Sequence, residues 1–120
     1  MKDQFSLLNF PDRASTQAVA AIWFSRTELN QIMNIYGRMV SAGEWRDYAI
    51  SPADKMIVFS VFQRASERPQ YQIIKEPKLA NKQGAFRLIG PAGQVLKRGN
   101  DLKQVLKSLN AKLLKIIDNT

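Results

Sequence analysis

Apolar residues recur three and four apart in two stretches of this chain, and between those stretches they fall into short runs of period two. In the first helical stretch Leu29, Ile32, Met33, Tyr36, Met39 and Val40 form one stripe. Both ends of that stretch carry stop signals. Ser25 and Glu28 have the spacing of a capping box, in which each side chain satisfies a backbone N–H at the other's position. Phe24 and Leu29 stand where a hydrophobic staple forms, and Gly43 stands where a helix closes through a left-handed residue. The pattern predicts a helix over residues 26–42. Gly37 inside it costs about 1 kcal/mol against alanine, which implies that another backbone packs closely there.

The period then changes to two. Residues 47–50 read as a short strand, ended by the turn Ser51-Pro52-Ala53-Asp54 with proline at its favoured place. Residues 56–63 follow, with Ile57, Phe59 and Val61 on one face and Met56, Val58 and Phe62 on the other. A strand apolar on both faces is expected to be central and covered twice, by helices or by a second subunit. A polar turn over residues 65–69 leads to a strand over 70–75 with Tyr71, Ile73 and Ile74. Beyond the loop 76–84, residues 85–89 and 94–97 predict a hairpin around Gly90-Pro91-Ala92-Gly93.

A second helix closes the pattern. Asn100 or Asp101 caps it, and Leu102, Val105, Leu106, Leu109, Leu113, Ile116 and Ile117 share one face. Leu114 falls outside that arc. Residues 1–22 keep no period, although Phe5, Leu7, Leu8 and Phe10 make an apolar cluster, so a flexible arm is expected before a single domain over 23–118. The fold class is therefore α+β: an antiparallel sheet of four or five strands flanked by an N-terminal and a C-terminal helix, in the order α-β-β-β-β-β-α.

Composition narrows the chemistry. The 120 residues include no cysteine and no histidine, which removes thiol nucleophiles, disulfides, the usual general base and the commonest metal ligands. No secretory signal or membrane span is legible, so a soluble, reducing, cytoplasmic setting is expected. Neither a phosphate-binding loop of the Walker type nor a dinucleotide fingerprint is present. The nearest paired carboxylates, Glu44 and Asp47, sit beside Arg38 and Arg46 in sequence and are expected to form a structural ion-pair cluster. No catalytic residue, cofactor or metal is assigned.

Charge is the strongest clue, and its placement matters more than its size. The net charge is +8, and all of it falls between residues 75 and 115, where ten basic residues face only Glu76 and Asp101. A field this uneven favours anionic partners, nucleic acid or an acidic protein among them. The candidate contacts are Lys75, Lys78, Lys82, Arg87, Lys97, Arg98, Lys103 and Lys107. Aromatic residues are sparse among them, which argues for contacts to a phosphate backbone with little sequence preference. Trp45-Arg46-Asp47-Tyr48 admits two uses: Trp45 and Tyr48 stack bases while Arg46 meets a phosphate, or the rings fill the joint between helix and sheet.

The strings Tyr36-Gly37-Arg38-Met39-Val40 and Gly43-Glu44-Trp45-Arg46-Asp47-Tyr48-Ala49-Ile50 resemble a small bacterial family known as domain of unknown function 2794. Val58-Phe59-Ser60-Val61-Phe62, Pro77-Lys78-Leu79-Ala80 and Leu96-Lys97-Arg98-Gly99 fit it too, over about residues 23–117. The resemblance brings no activity and no site residue with it. In architecture alone the chain also resembles the repeat of Pur-alpha-type single-strand-binding proteins, which pair into dimers. The expectation is a non-catalytic protein that binds or accompanies nucleic acid. The alternative is an interaction module that pairs with itself as a homodimer or docks an acidic partner.

Overall fold

The computed structural model of the protein describes residues 21–64 and 68–118. The expected arm lies outside the described residues up to position 20, and so do residues 65–67 of the turn expected at 65–69.

The first helix, α1, spans Arg26–Ser41. Its capping box closes in both directions: Ser25 N–H donates to Glu28 Oε1 at 2.7 Å, and Glu28 N–H donates to Ser25 Oγ at 3.1 Å. At the far end Gly43 takes φ +78°, its N–H donates to the Val40 carbonyl, and Glu44 N–H reaches back to that of Met39. That pair of bonds is a Schellman closure, and it turns the chain so that Trp45 drops into the core at 2% exposure. Two details of the expected helix are corrected. Ile35, left off the apolar stripe, is buried together with Ile32 and Met39, whereas Val40 is exposed. Gly37 has nothing within 4 Å of where a Cβ would stand, so no second backbone approaches it.

Five strands follow: β1 (Asp47–Ala53), β2 (Met56–Phe62), β3 (Tyr71–Lys75), β4 (Phe86–Ile89) and β5 (Val95–Gly99). They form one antiparallel sheet whose spatial order is their chain order. β1 runs three residues past its expected end. It is an edge strand, where a proline such as Pro52 is tolerated because one side of the strand has no ladder to complete. The turn is therefore Asp54-Lys55, with Lys55 at φ 60°. β2 lies second in the sheet, and β3 holds the middle. A 3₁₀ turn, Pro77–Leu79, interrupts the β3–β4 connection. The β4–β5 hairpin turns at Gly90–Gly93 as expected, with an irregular register beside Leu88 and Ile89.

The expected C-terminal helix is kinked into α2 (Leu102–Val105) and α3 (Lys107–Asp118). No proline or glycine marks the kink at Leu106. The two halves serve different neighbours: α2 lies against β4 and β5, and α3 against α1. Asp101 is the cap, accepting from Lys103 N–H at 3.1 Å. Asn100 has another task, described below.

Alternation along the strands sets the core. Ile57, Phe59, Val61, Tyr71, Ile73, Phe86 and Leu88 share one face and pack with Ile32, Ile35 and Met39 of α1. Leu102, Val105, Leu106, Leu109 and Leu113 close it from α2 and α3. The opposite face presents Met56, Val58 and Phe62 half-buried, beside Ile74 and Ile89. Polar groups interrupt it: Gln72 Nε2 donates to Ser60 Oγ at 3.1 Å, and Arg87 stands across from Ile74. The core cluster under the helices includes none of these side chains, so among the described residues helices cover β2 on one face.

Candidate nucleic-acid interface

The eight basic candidates separate into two kinds. Lys75, at the end of β3, points to the helix side and donates to Glu28 Oε1 at 2.7 Å and to the Trp23 carbonyl at 2.9 Å. Arg87 on β4 points to the other side, with Nη1 2.9 Å from Glu76 Oε1. Both side chains are largely enclosed, at 18% and 16% exposure. Their charges are committed to carboxylates of the same chain. For Arg87 this also relieves a clash of like charge, because Arg98 stands opposite it on β5.

The other six, Lys78, Lys82, Lys97, Arg98, Lys103 and Lys107, are exposed. Asn100 draws their segments together. Its Nδ2 donates to the Ala80 carbonyl at 2.8 Å, and its Oδ1 accepts from Ala85 N–H at 2.8 Å. The loop after the 3₁₀ turn is thereby tied to the joint between β5 and α2. Gly84 and Gly99 make the contact possible: a Cβ at Gly84 would lie 2.6 Å from the Gly99 backbone. Lys78 and Lys82 come from the loop, Lys97 and Arg98 from the edge strand, and Lys103 and Lys107 from the starts of the last two helices. The one acid among these segments is the cap Asp101.

Trp45, Arg46 and Tyr48 lie at the opposite edge of the sheet. Four strand spacings separate β1 from β5, or about 19 Å. Trp45 is the joint: its ring sits 6.2 Å from that of Tyr36 and 6.0 Å from that of Tyr71. Tyr48 stacks on Phe59 at 5.1 Å and meets Tyr36 edge-on at 5.0 Å, leaving its outer face in solvent. Arg46 acts through its backbone, donating to the Phe62 carbonyl and accepting from the Tyr36 hydroxyl at 2.6 Å. Burial, then the nearby Asp47 and Tyr48, push the Tyr36 hydroxyl up, which keeps it a neutral donor. The expected ion-pair cluster does not form: among the described residues neither Glu44 nor Asp47 pairs with an arginine, and Arg38 Nη1 instead meets Asn110 Oδ1 at 3.4 Å. These groups do not share a surface with the basic edge.

Sequence reasoning missed the neutral polar groups. Asn100, which organises the basic edge, was read only as a possible helix cap. Lys112, counted as charge alone, donates to the Tyr71 hydroxyl at 2.7 Å.

A family described as protein of unknown function DUF2794 matches residues 22–106. The chain belongs to it. The matched region takes in α1, the whole sheet and α2 and stops at the kink, short of the expected limit near residue 117, so α3 lies beyond it. No curated protein and no solved structure matches significantly. No helix among the described residues is long and apolar enough to cross a membrane.

Proposed function

We propose that this family member is a non-catalytic protein that grips the phosphate backbone of nucleic acid along the edge formed by β5, the 3₁₀ loop and the starts of α2 and α3. The observation that supports this reading is the gathering of six exposed cations on segments tied together by Asn100, with Asp101 as their only acid. Lysine and arginine on a rim, with no exposed ring beside them, suit phosphate contacts and give little base preference. Each phosphate neutralised releases counterions, so affinity is steeply salt-dependent. A cytoplasmic, reducing setting fits a chain that holds no cysteine.

Fluorescence anisotropy with labelled single- and double-stranded oligonucleotides tests this. Binding is expected at about 50 mM salt, with a loss of about a thousandfold by 200 mM if all six cations engage. The double reversal Lys97→Glu, Arg98→Glu should abolish it while leaving the fold intact. Equal binding by that variant, or no binding at low salt, overturns the proposal.

The sheet face away from the helices favours a second reading, self-association. Met56, Val58, Phe62, Ile74 and Ile89 form an apolar surface that no helix joins to the core.

A further inference from the structure

Above the core, α1 and the kinked C-terminal helix stand apart far enough to leave a groove of about 370 Å³. That volume is within the range of small-molecule sites. Its walls are unusual for a helix–helix seam. Asn30, Gln31 and Asn34 line it from α1, and Asn110 faces them from α3. Asparagine is a poor helix former, and three of these four amides are asparagines inside helices. The floor is apolar, made by the flanks of Ile35 and Leu106, and Lys103 stands at the rim. No carboxylate lines the groove.

The amides have capacity to spare. Asn110 Oδ1 accepts from Arg38, whereas the side chains of Asn30, Gln31 and Asn34 make no hydrogen bond among the described residues. Each carboxamide offers donors and an acceptor together, which suits an edge that alternates the two, and a cation at one end suits an anionic group. A flat ring bearing such an edge, with one phosphate attached, answers all three features: apolar floor, amide walls and ammonium rim. An extended peptide would need an exposed strand edge, and a lipid chain would leave the amides unpaired.

We infer that this groove binds a single nucleotide unit, its base between the amides of α1 and α3 and its phosphate at Lys103. The site is distinct from the basic edge and needs only Lys103 from it. The unit can be a free nucleoside monophosphate or one nucleotide of a strand, and the two sources are separable.

The test is a titration of the ¹⁵N-labelled full chain with each of the four nucleoside 5′-monophosphates, with the matching nucleosides, with inorganic phosphate and with a short single-stranded oligonucleotide. The side-chain amide signals of Gln31, Asn34 and Asn110 are expected to shift and saturate with at least one nucleotide. The double variant Gln31→Ala, Asn34→Ala should weaken that binding by about tenfold or more, since each lost amide leaves part of the base edge unpaired. Lys103→Gln should make nucleotide and nucleoside bind alike. Lys97→Glu, Arg98→Glu should leave free-nucleotide binding unchanged, so failure of the edge reading and failure of this one give different results. Shifts of the amides with the oligonucleotide alone assign the site to a strand, and shifts with free nucleotides assign it to the monomer. Amide signals that ignore every nucleotide, or that move equally with inorganic phosphate, overturn the inference.

Discussion

A methyl group added at Gly37 meets open space, whereas one added at Gly84 lands 2.6 Å from the Gly99 backbone at φ +100°. The two glycines therefore answer the same substitution with opposite signs. Gly37→Ala removes backbone freedom from the unfolded chain and adds no clash, so it should stabilise the protein by about 0.5–1 kcal/mol. Gly84→Ala must strain a left-handed residue and part the loop from β5, so it should destabilise by more than about 1 kcal/mol. Urea denaturation at constant slope reads both, and a Gly37→Ala variant less stable than the parent would show a contact at that position after all. Because the Gly84–Gly99 contact holds the loop that carries Lys82 against the end of β5, Gly84→Ala should also weaken polyanion binding more than its distance from any phosphate suggests.

At the scale of elements, the start of α1 concentrates several roles in one carboxylate. Glu28 closes the capping box and holds Lys75 at 2.7 Å, joining the helix to β3. Burial pushes its carboxyl up. The Lys75 hydrogen bond, the Ser25 N–H and the Lys75 charge together outweigh that and hold it below the usual carboxylate range. A depressed folded-state value means that the contribution is present above the unfolded value and lost as pH falls through the folded one. Stability should therefore decline more steeply for the parent than for Glu28→Gln below about pH 4.5, the region where free glutamates take up protons. Denaturation midpoints measured across that interval check it, and parallel curves would refute it. Elements with local signals were legible in the sequence: the capping box, Gly43 and the Gly90–Gly93 turn each act within a few residues. The kink at Leu106 was not, because it follows from α2 and α3 having different neighbours. The same holds for the site. The concentration of lysine was plain, but Lys75 and Glu28 lie 47 apart, and no local pattern reports such a pair. For Trp45 the sequence leaves two uses open, stacking on a base or packing at the joint, and only the fold shows the ring buried beside Tyr36 and Tyr71.

At the scale of the whole molecule, the described helices thatch one side of the sheet and not the other. If that other side is an interface, Val58→Arg should convert a dimer to a folded monomer in light scattering, because the substitution places an unpaired charge in its centre. A parent that is monomeric at every concentration would dismiss self-association and leave the basic edge as the active surface. The order of the strands has a different consequence, for folding kinetics. Each strand pairs only with its neighbours in the chain, so the sheet can zip up through local connections, none longer than the ten residues 76–85. The distant closures, α1 on α3 and Glu28 on Lys75, have no such head start. Val61→Ala on β2, opposite Tyr71 of β3, should therefore chiefly slow folding, and Leu113→Ala on α3 should chiefly speed unfolding. Stopped-flow measurements that showed the reverse would mean that the helices meet first and the sheet forms beneath them. Otherwise the strands assemble early and the helical cover is the last part to arrive.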